Sequence, residues 1–304
     1  MKAVSLEKQS PIEELPLNLS EFPVPEPKAE EVLVKVEACG VCRTDLHIVE
    51  GDLPLRASPT IPGHQIVGTV AEAGAGVTRF TVGERVGIAW LHHTCSECFH
   101  CRRGEENLCS EARFTGWDVP GGFAEFTTVP ETFAYALPST IPAPTAAPLL
   151  CAGIIGYRTL RRAGVEPGRP AAIWGYGAAG HIALQLLKYW ECPTLVFTRT
   201  RRHQEEAKAL GAEWVGTADQ IPPFLPHSAA AFFPNGSLVP RALELLEPGG
   251  ILALGGIHLS EIPSLNYDKH LYRERTLTSV TNATRRDGED FLLLGPGDPD
   301  SNPG

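Results

Sequence analysis

The segment Cys39-Gly40-Val41-Cys42-Arg43-Thr44-Asp45-Leu46-His47, answered after a loop by Gly63-His64, gathers thiols, a hydroxyl, a carboxylate and two imidazoles. Thiolate and imidazole together are the donors that the borderline-soft zinc ion prefers. A catalytic zinc takes three protein ligands and keeps its fourth position open for water or substrate. Cys42 and His64 are read as two of those ligands, and Cys151, far along the chain, as the third.

Four more cysteines are bunched as Cys95-x2-Cys98-x2-Cys101-x7-Cys109. In a long chain such spacing points to metal rather than to disulfides. Four thiolates close a tetrahedral site, so a second zinc there would brace a lobe and do no chemistry. His92, His93 and His100 lie beside the cluster and are expected to be solvated loop histidines, because four sulfurs already complete the site. Cys39 and Cys192 are expected to be small buried hydrophobes.

Gly175-Tyr176-Gly177-Ala178-Ala179-Gly180 follows a short apolar strand and opens a helix, which is the context a dinucleotide fingerprint requires. Gly175 permits the tight turn, Gly177 lets a pyrophosphate approach the backbone, and Gly180 lets helix and strand pack. A reader of NAD(H) carries an acid about 20 residues further on, against the ribose 2′-hydroxyl. Here the next strand ends Val196-Phe197-Thr198-Arg199-Thr200-Arg201-Arg202, with no acid at its tip. A hydroxyl followed by guanidinium suits a 2′-phosphate, so Thr198 and Arg199 favour NADP(H) over NAD(H). Glu205 and Glu206 are the rival partners for these arginines.

The elements that must hold these groups divide the 304 residues into two domains, as the length suggests at roughly 150 residues each. Up to about residue 137 short apolar runs (32–38, 64–70, 85–90, 123–129) are punctuated by Gly and Pro, which predicts a barrel-like β domain. Pro138, Pro142, Pro144 and Pro148 then read as a hinge into a connecting helix. Beyond it strands and helices alternate, predicting a doubly wound parallel sheet. The expected boundaries are 1–145 for the β domain, 146–284 for the α/β domain and 285–304 for a short return segment. Its last ten residues, Gly295–Gly304, hold no apolar side chain larger than proline and are expected to be a disordered tail.

A formal net charge of −10 argues against nucleic acid or an anionic membrane as partner. The N-terminus has no apolar signal region, and no run reaches the ~18 apolar residues of a spanning helix. The chain is expected to be soluble and cytoplasmic, where metal-binding thiols stay reduced.

Taken together, Gly40 to His47, Pro62-Gly63-His64, the four-cysteine cluster, Leu150-Cys151-Ala152-Gly153 and the glycine fingerprint resemble the zinc-dependent medium-chain alcohol dehydrogenases, from the N-terminus to about Leu294. The resemblance implies a catalytic domain of co-chaperonin (GroES-like) fold, a Rossmann domain, and an active-site cleft between them. It implies hydride transfer between a small alcohol, or an aldehyde or ketone, and a nicotinamide dinucleotide, with homodimers or homotetramers as assemblies. Carried over, Cys42, His64 and Cys151 match the catalytic zinc ligands, and Cys95, Cys98, Cys101 and Cys109 the structural site. Thr44 matches the hydroxyl that takes the alcohol proton, His47 the imidazole at the far end of the relay through the cofactor ribose, and Asp45 the acid that orients the ligand histidine. Trp90 and Trp117 fall in segments that line the substrate pocket of similar proteins. Two departures stand out. Gln65 follows His64 where the family carries Glu, so the negative charge behind the metal is missing. The Gly/Pro/Asp ending replaces a strand and helix that return to the catalytic domain in the family, from which lower stability and weaker cofactor binding are expected. The alternative to an enzyme is a zinc-stapled dinucleotide-binding protein with little or no turnover.

Overall fold

The computed structural model describes residues 1–294; the expected disordered tail lies outside them. The chain divides into two compact units, one of Met1–Cys151 joined by the segment that begins at Asn282, the other of Ala152–Thr281.

In the first unit, β1 (Lys2–Leu6) and β2 (Leu17–Glu21) form an antiparallel hairpin. The next strand, β3 (Glu31–Gly40), leads through α1 (Arg43–Glu50) to β4 (Gln65–Ala73). Then come β5 (Arg85–Ile88), β6 (Leu91–His93), α2 (Phe99–Arg102), β7 (Arg113–Phe114), β8 (Phe126–Pro130) and β9 (Ala134–Ala136). Five of these strands pair antiparallel in the order β8-β3-β4-β5-β9. Register shifts near Leu33 and Val36 bend β3, as β-bulges do, and so help the sheet curl over its core. Val32, Val34, Ile66, Val86, Ile88 and Val129 are fully buried there. The pairing of Gly40 with Gln65 matters most for function. It sets the end of β3 beside the start of β4, so residue 42 and residue 64 emerge next to each other. After α3 (Ala143–Ala146), a 3-10 turn over Ala147–Leu150 ends at Cys151.

The second unit runs α4 (Ala152–Arg162), β10 (Ala171–Trp174), α5 (Ala178–Tyr189), β11 (Thr194–Phe197), α6 (Arg201–Ala209) and β12 (Trp214–Gly216). It continues with β13 (Ser228–Ala231), α7 (Val239–Glu244), β14 (Ile251–Leu254), α8 (Tyr267–His270) and β15 (Thr276–Ser279). All six strands are parallel, in the order β12-β11-β10-β13-β14-β15. The inner strands β10, β11 and β13 are buried at every position, as a parallel sheet covered on both faces requires. Trp174 stacks on Phe197 at 3.9 Å in that core. The strand order reverses between β10 and β13, and open α/β sheets bind ligands outside the carboxyl ends of strands at such a switch point. Together these are a GroES-like domain and a Rossmann domain. Among the described residues no helix is long and apolar enough to cross a membrane.

The chain then re-enters the first unit as α9 (Arg285–Leu293), started by a capping box between Thr284 and Asp287. Arg285 binds Glu106 three times: backbone N–H to Oε1 at 2.8 Å, Nε to Oε1 at 2.9 Å and Nη2 to Oε2 at 2.6 Å. Burial raises the Glu106 carboxyl, but its bonds from Arg285 outweigh this and hold it below the usual range. A carboxyl depressed in the folded state stabilises above its unfolded pKa, about 4.3, and loses that contribution as pH falls through the folded value. Glu106→Gln is therefore expected to cost about 1–3 kcal/mol at neutral pH. Urea midpoints should show this gap close as pH drops below about 4; a gap independent of pH would contradict the ion pair's role.

Candidate functional site

Cys42 is the N-cap of α1, and its sulfur accepts the Thr44 N–H at 3.3 Å. A helix N-terminus stabilises a thiolate through its unpaired amides and dipole. One carboxylate then organises the surroundings. Asp45 Oδ2 accepts the Cys42 N–H at 2.8 Å, while Oδ1 accepts from Gly63 N–H and from His64 Nδ1, both at 3.2 Å. With Nδ1 so fixed, His64 turns Nε2 toward two sulfurs, Cys42 Sγ at 3.3 Å and Cys151 Sγ at 3.4 Å. All three donor atoms lie within 4.8 Å of one another.

Tetrahedral zinc, with Zn–S near 2.3 Å and Zn–N near 2.0–2.1 Å, needs S···N separations of about 3.5 Å. The observed spacings meet that demand, and the donor set suits the metal. The same contacts shift the ionisation of all three donors. The hydrogen bond from Cys151 pulls the Cys42 sulfur down to about 3 against the effect of burial, and the same bond together with burial pushes the Cys151 thiol up. Burial opposes charge on His64, yet the Asp45 carboxylate and the Cys42 sulfur push it up to about 10.

Thr44 and His47 follow one turn apart on α1, both buried. His47 Nδ1 lies 2.6 Å from Asp52 Oδ2, whose side chain is 63% exposed. Sequence reasoning missed Asp52. The signal was present in Gly51, which ends α1 in the left-handed conformation and turns the next residue back onto the helix. Trp90 meets the His64 ring edge-on at 4.9 Å and stacks on Phe114 at 5.1 Å.

The second cysteine group is equally compact, with its four sulfurs within 4.8 Å of one another. Cys95 Sγ lies 3.5 Å from Cys109 Sγ and 3.9 Å from Cys101 Sγ, close to the ~3.8 Å that tetrahedral Zn–S bonds impose. Backbone N–H groups of Cys98, Cys101 and Cys95 point at sulfurs of the cluster at 3.4–3.5 Å. All cysteines are free. Of the neighbouring histidines, His93 is exposed and His100 half-exposed against Glu105, but His92 is buried, unlike the solvated loop residue expected. A register shift between Leu91 and His93 breaks the alternation of β6 and turns His92 inward, where burial lowers it to about 4.

In the second unit, Gly175 has φ +91° at the end of β10, a conformation that only glycine adopts freely. A side chain at Gly180 would strike the Gly175 carbonyl, so helix and strand could not close. A side chain at Gly177 would meet nothing, which leaves open space before the α5 N-terminus, where no side chain caps the amides. Uncapped helix N-terminal amides facing open space are able to bind an anion. At the β11 tip, Thr198 is buried, and Arg201 and Arg202 are taken by Glu205 and Glu206 at 2.9 and 2.8 Å. Arg199 is exposed and, among the described residues, has no such partner.

Residues 28–139 match the alcohol dehydrogenase GroES-like domain. The chain is 49% identical over 297 residues to a Mycobacterium tuberculosis protein named "Probable alcohol dehydrogenase AdhA", covering 96% of this chain and 86% of that one. It is 35% identical over 287 residues to an alcohol dehydrogenase of Geobacillus stearothermophilus, covering 91% and 84%. Its fold matches a cobalt- and zinc-bound thermostable alcohol dehydrogenase of Pyrobaculum aerophilum at TM-score 0.86 and 25% identity, covering 97% and 88%. With the domain pair, the sequence likeness and nearly full-length coverage in agreement, the chain belongs to the zinc-dependent medium-chain alcohol dehydrogenase family.

Proposed function

We propose that the protein oxidises small alcohols to aldehydes or ketones, and runs the reverse reduction, with a nicotinamide dinucleotide as hydride partner and zinc held by Cys42, His64 and Cys151. The observation that carries this is His64 Nε2 aimed between two sulfurs while Asp45 fixes its other nitrogen. Three donors leave one position open, which a structural site would not. A zinc ion held there supplies Lewis acidity, easing loss of the alcohol's proton and polarising a carbonyl in reverse.

The chain's own residues do the rest. Asp45 keeps the Nδ1–H tautomer of His64, leaving Nε2 free to ligate. Thr44 accepts the alcohol's hydroxyl proton as it passes on its own, and His47 carries the proton released outward. Because His47 is itself buried, exposed Asp52 on its Nδ1 gives the relay an outlet to water. Cys95, Cys98, Cys101 and Cys109 hold a second, structural zinc. Gly175, Gly177 and Gly180 cradle the cofactor's pyrophosphate, and Thr198 and Arg199 read its ribose.

Nicotinamide absorbance with ethanol, benzyl alcohol and their aldehydes tests the reading. Turnover that a chelator abolishes is expected; no chelator-sensitive turnover with any of them would overturn it. The unpaired Arg199 supports NADP(H) over NAD(H). Losing one bidentate charged contact, Arg199→Ala should weaken NADP binding by about tenfold and leave NAD binding nearly unchanged. Equal weakening of both, measured by titration, would remove the argument for the 2′-phosphate.

A further inference from the structure

Arg56 lies in the loop between α1 and β4. Its guanidinium sits 3.7 Å from the centroid of the Trp117 ring, and Nη1 donates to Asp118 Oδ1 at 2.8 Å. The Asp118 side chain is only 10% exposed, and its other oxygen accepts the Phe114 N–H at 2.9 Å. Trp117 in turn donates its indole N–H to the Pro54 carbonyl at 2.9 Å. The loop around residues 54–56 and the turn at 114–118 therefore hold each other through ring, ion pair and backbone.

Trp117 does not end at this clamp. It stacks nearly parallel with Trp90, centroids 5.9 Å apart at 14°, and with Phe114 at 5.9 Å and 24°. Trp90 then touches His64. A wall of three rings thus runs from a candidate metal ligand to a guanidinium at the surface. Arginine suits that end because its planar fork can stack on a ring and pair with a carboxylate at once, which lysine cannot do.

We propose that Arg56 is a specificity-determining positioning residue: by clamping Trp117 it fixes the ring wall beside His64 and limits the bulk of the alcohols admitted. The inference rests on the alcohol-oxidising reading above. It is tested by comparing ethanol with benzyl alcohol in the zinc-loaded wild type, Arg56→Ala and Arg56→Lys. Freeing the wall should raise the benzyl-to-ethanol ratio of kcat/KM about fivefold in Arg56→Ala, a typical size for pocket-shape discrimination. The change should lie in KM for benzyl alcohol, with kcat for ethanol unchanged. Arg56→Lys keeps the charge without the planar face and should move the ratio the same way by about twofold; it carries the comparison should the alanine variant fail to fold. Acrylamide quenching of tryptophan fluorescence, independent of turnover, should rise in Arg56→Ala. An unchanged ratio in an active variant, or an equal loss for both alcohols, overturns the proposal alone. Absence of turnover in the wild type defeats the alcohol-oxidising reading and the proposal with it.

Discussion

Cys151→Ser is expected to reduce kcat/KM at least about 1,000-fold, while the four-cysteine lobe keeps its metal. A Lewis acid contributes several kcal/mol to a transition state in which charge develops on oxygen, and each 1.36 kcal/mol is a factor of ten. Cys151 is the donor most exposed to loss. It stands alone at the end of a 3-10 turn, whereas Cys42 and His64 share the Asp45 carboxylate. Serine keeps the shape but replaces a soft thiolate with a hydroxyl that stays protonated. Metal analysis should then fall from two zinc ions per chain to one, with the melting temperature only slightly lower. Retained turnover with that stoichiometry would mean that the trio is not where the alcohol reacts.

The second large effect is expected at the other cluster, and it should be one of stability. Cys101→Ser removes a sulfur from a lobe whose other supports are two short strands, the four-residue α2 and the salt link from Glu106 to Arg285. Structural zinc in zinc-finger peptides contributes about 10–16 kcal/mol of apparent folding free energy. Most of that cannot be replaced by so small a hydrophobic content. Residues 94–112 should therefore become sensitive to proteolysis, and zinc should again fall to one per chain. The catalytic trio should keep its ion. A lobe as protease-resistant as wild type would show that sulfur packing alone holds it.

The two donor clusters are legible in the sequence because cysteine and histidine mark them by residue type and spacing. The Cys95 to Cys109 cluster is local, so its compactness follows from the chain itself. The trio is not local: its assembly depends on the Gly40–Gln65 register and on the turn that ends at residue 151, neither of which spacing can reveal. The parallel sheet was readable from alternating apolar runs and helical segments, and Gly175 to Gly180 sits at the turn where that reading put it. Elements without a strong period are not legible in the sequence. α1 spans only eight residues and is capped by Cys42, a residue outside the usual capping set. The β1–β2 hairpin pairs across ten intervening residues with no turn dipeptide to mark it. The first unit extends to Cys151 rather than residue 145, since the turn over Ala147–Leu150 buries Leu150 against the antiparallel sheet near Gly87. His92 departs from the expected solvated loop residue because a bulge, invisible in composition, reverses the face it occupies.

Anomalous scattering at the zinc edge, from crystals of protein purified without chelator, tests the central claim most directly. Two peaks per chain are predicted, one inside the Cys95–Cys109 lobe and one bonded at about 2.0–2.3 Å to Cys42 Sγ, His64 Nε2 and Cys151 Sγ. A filled lobe with no density among those three donors would contradict the account.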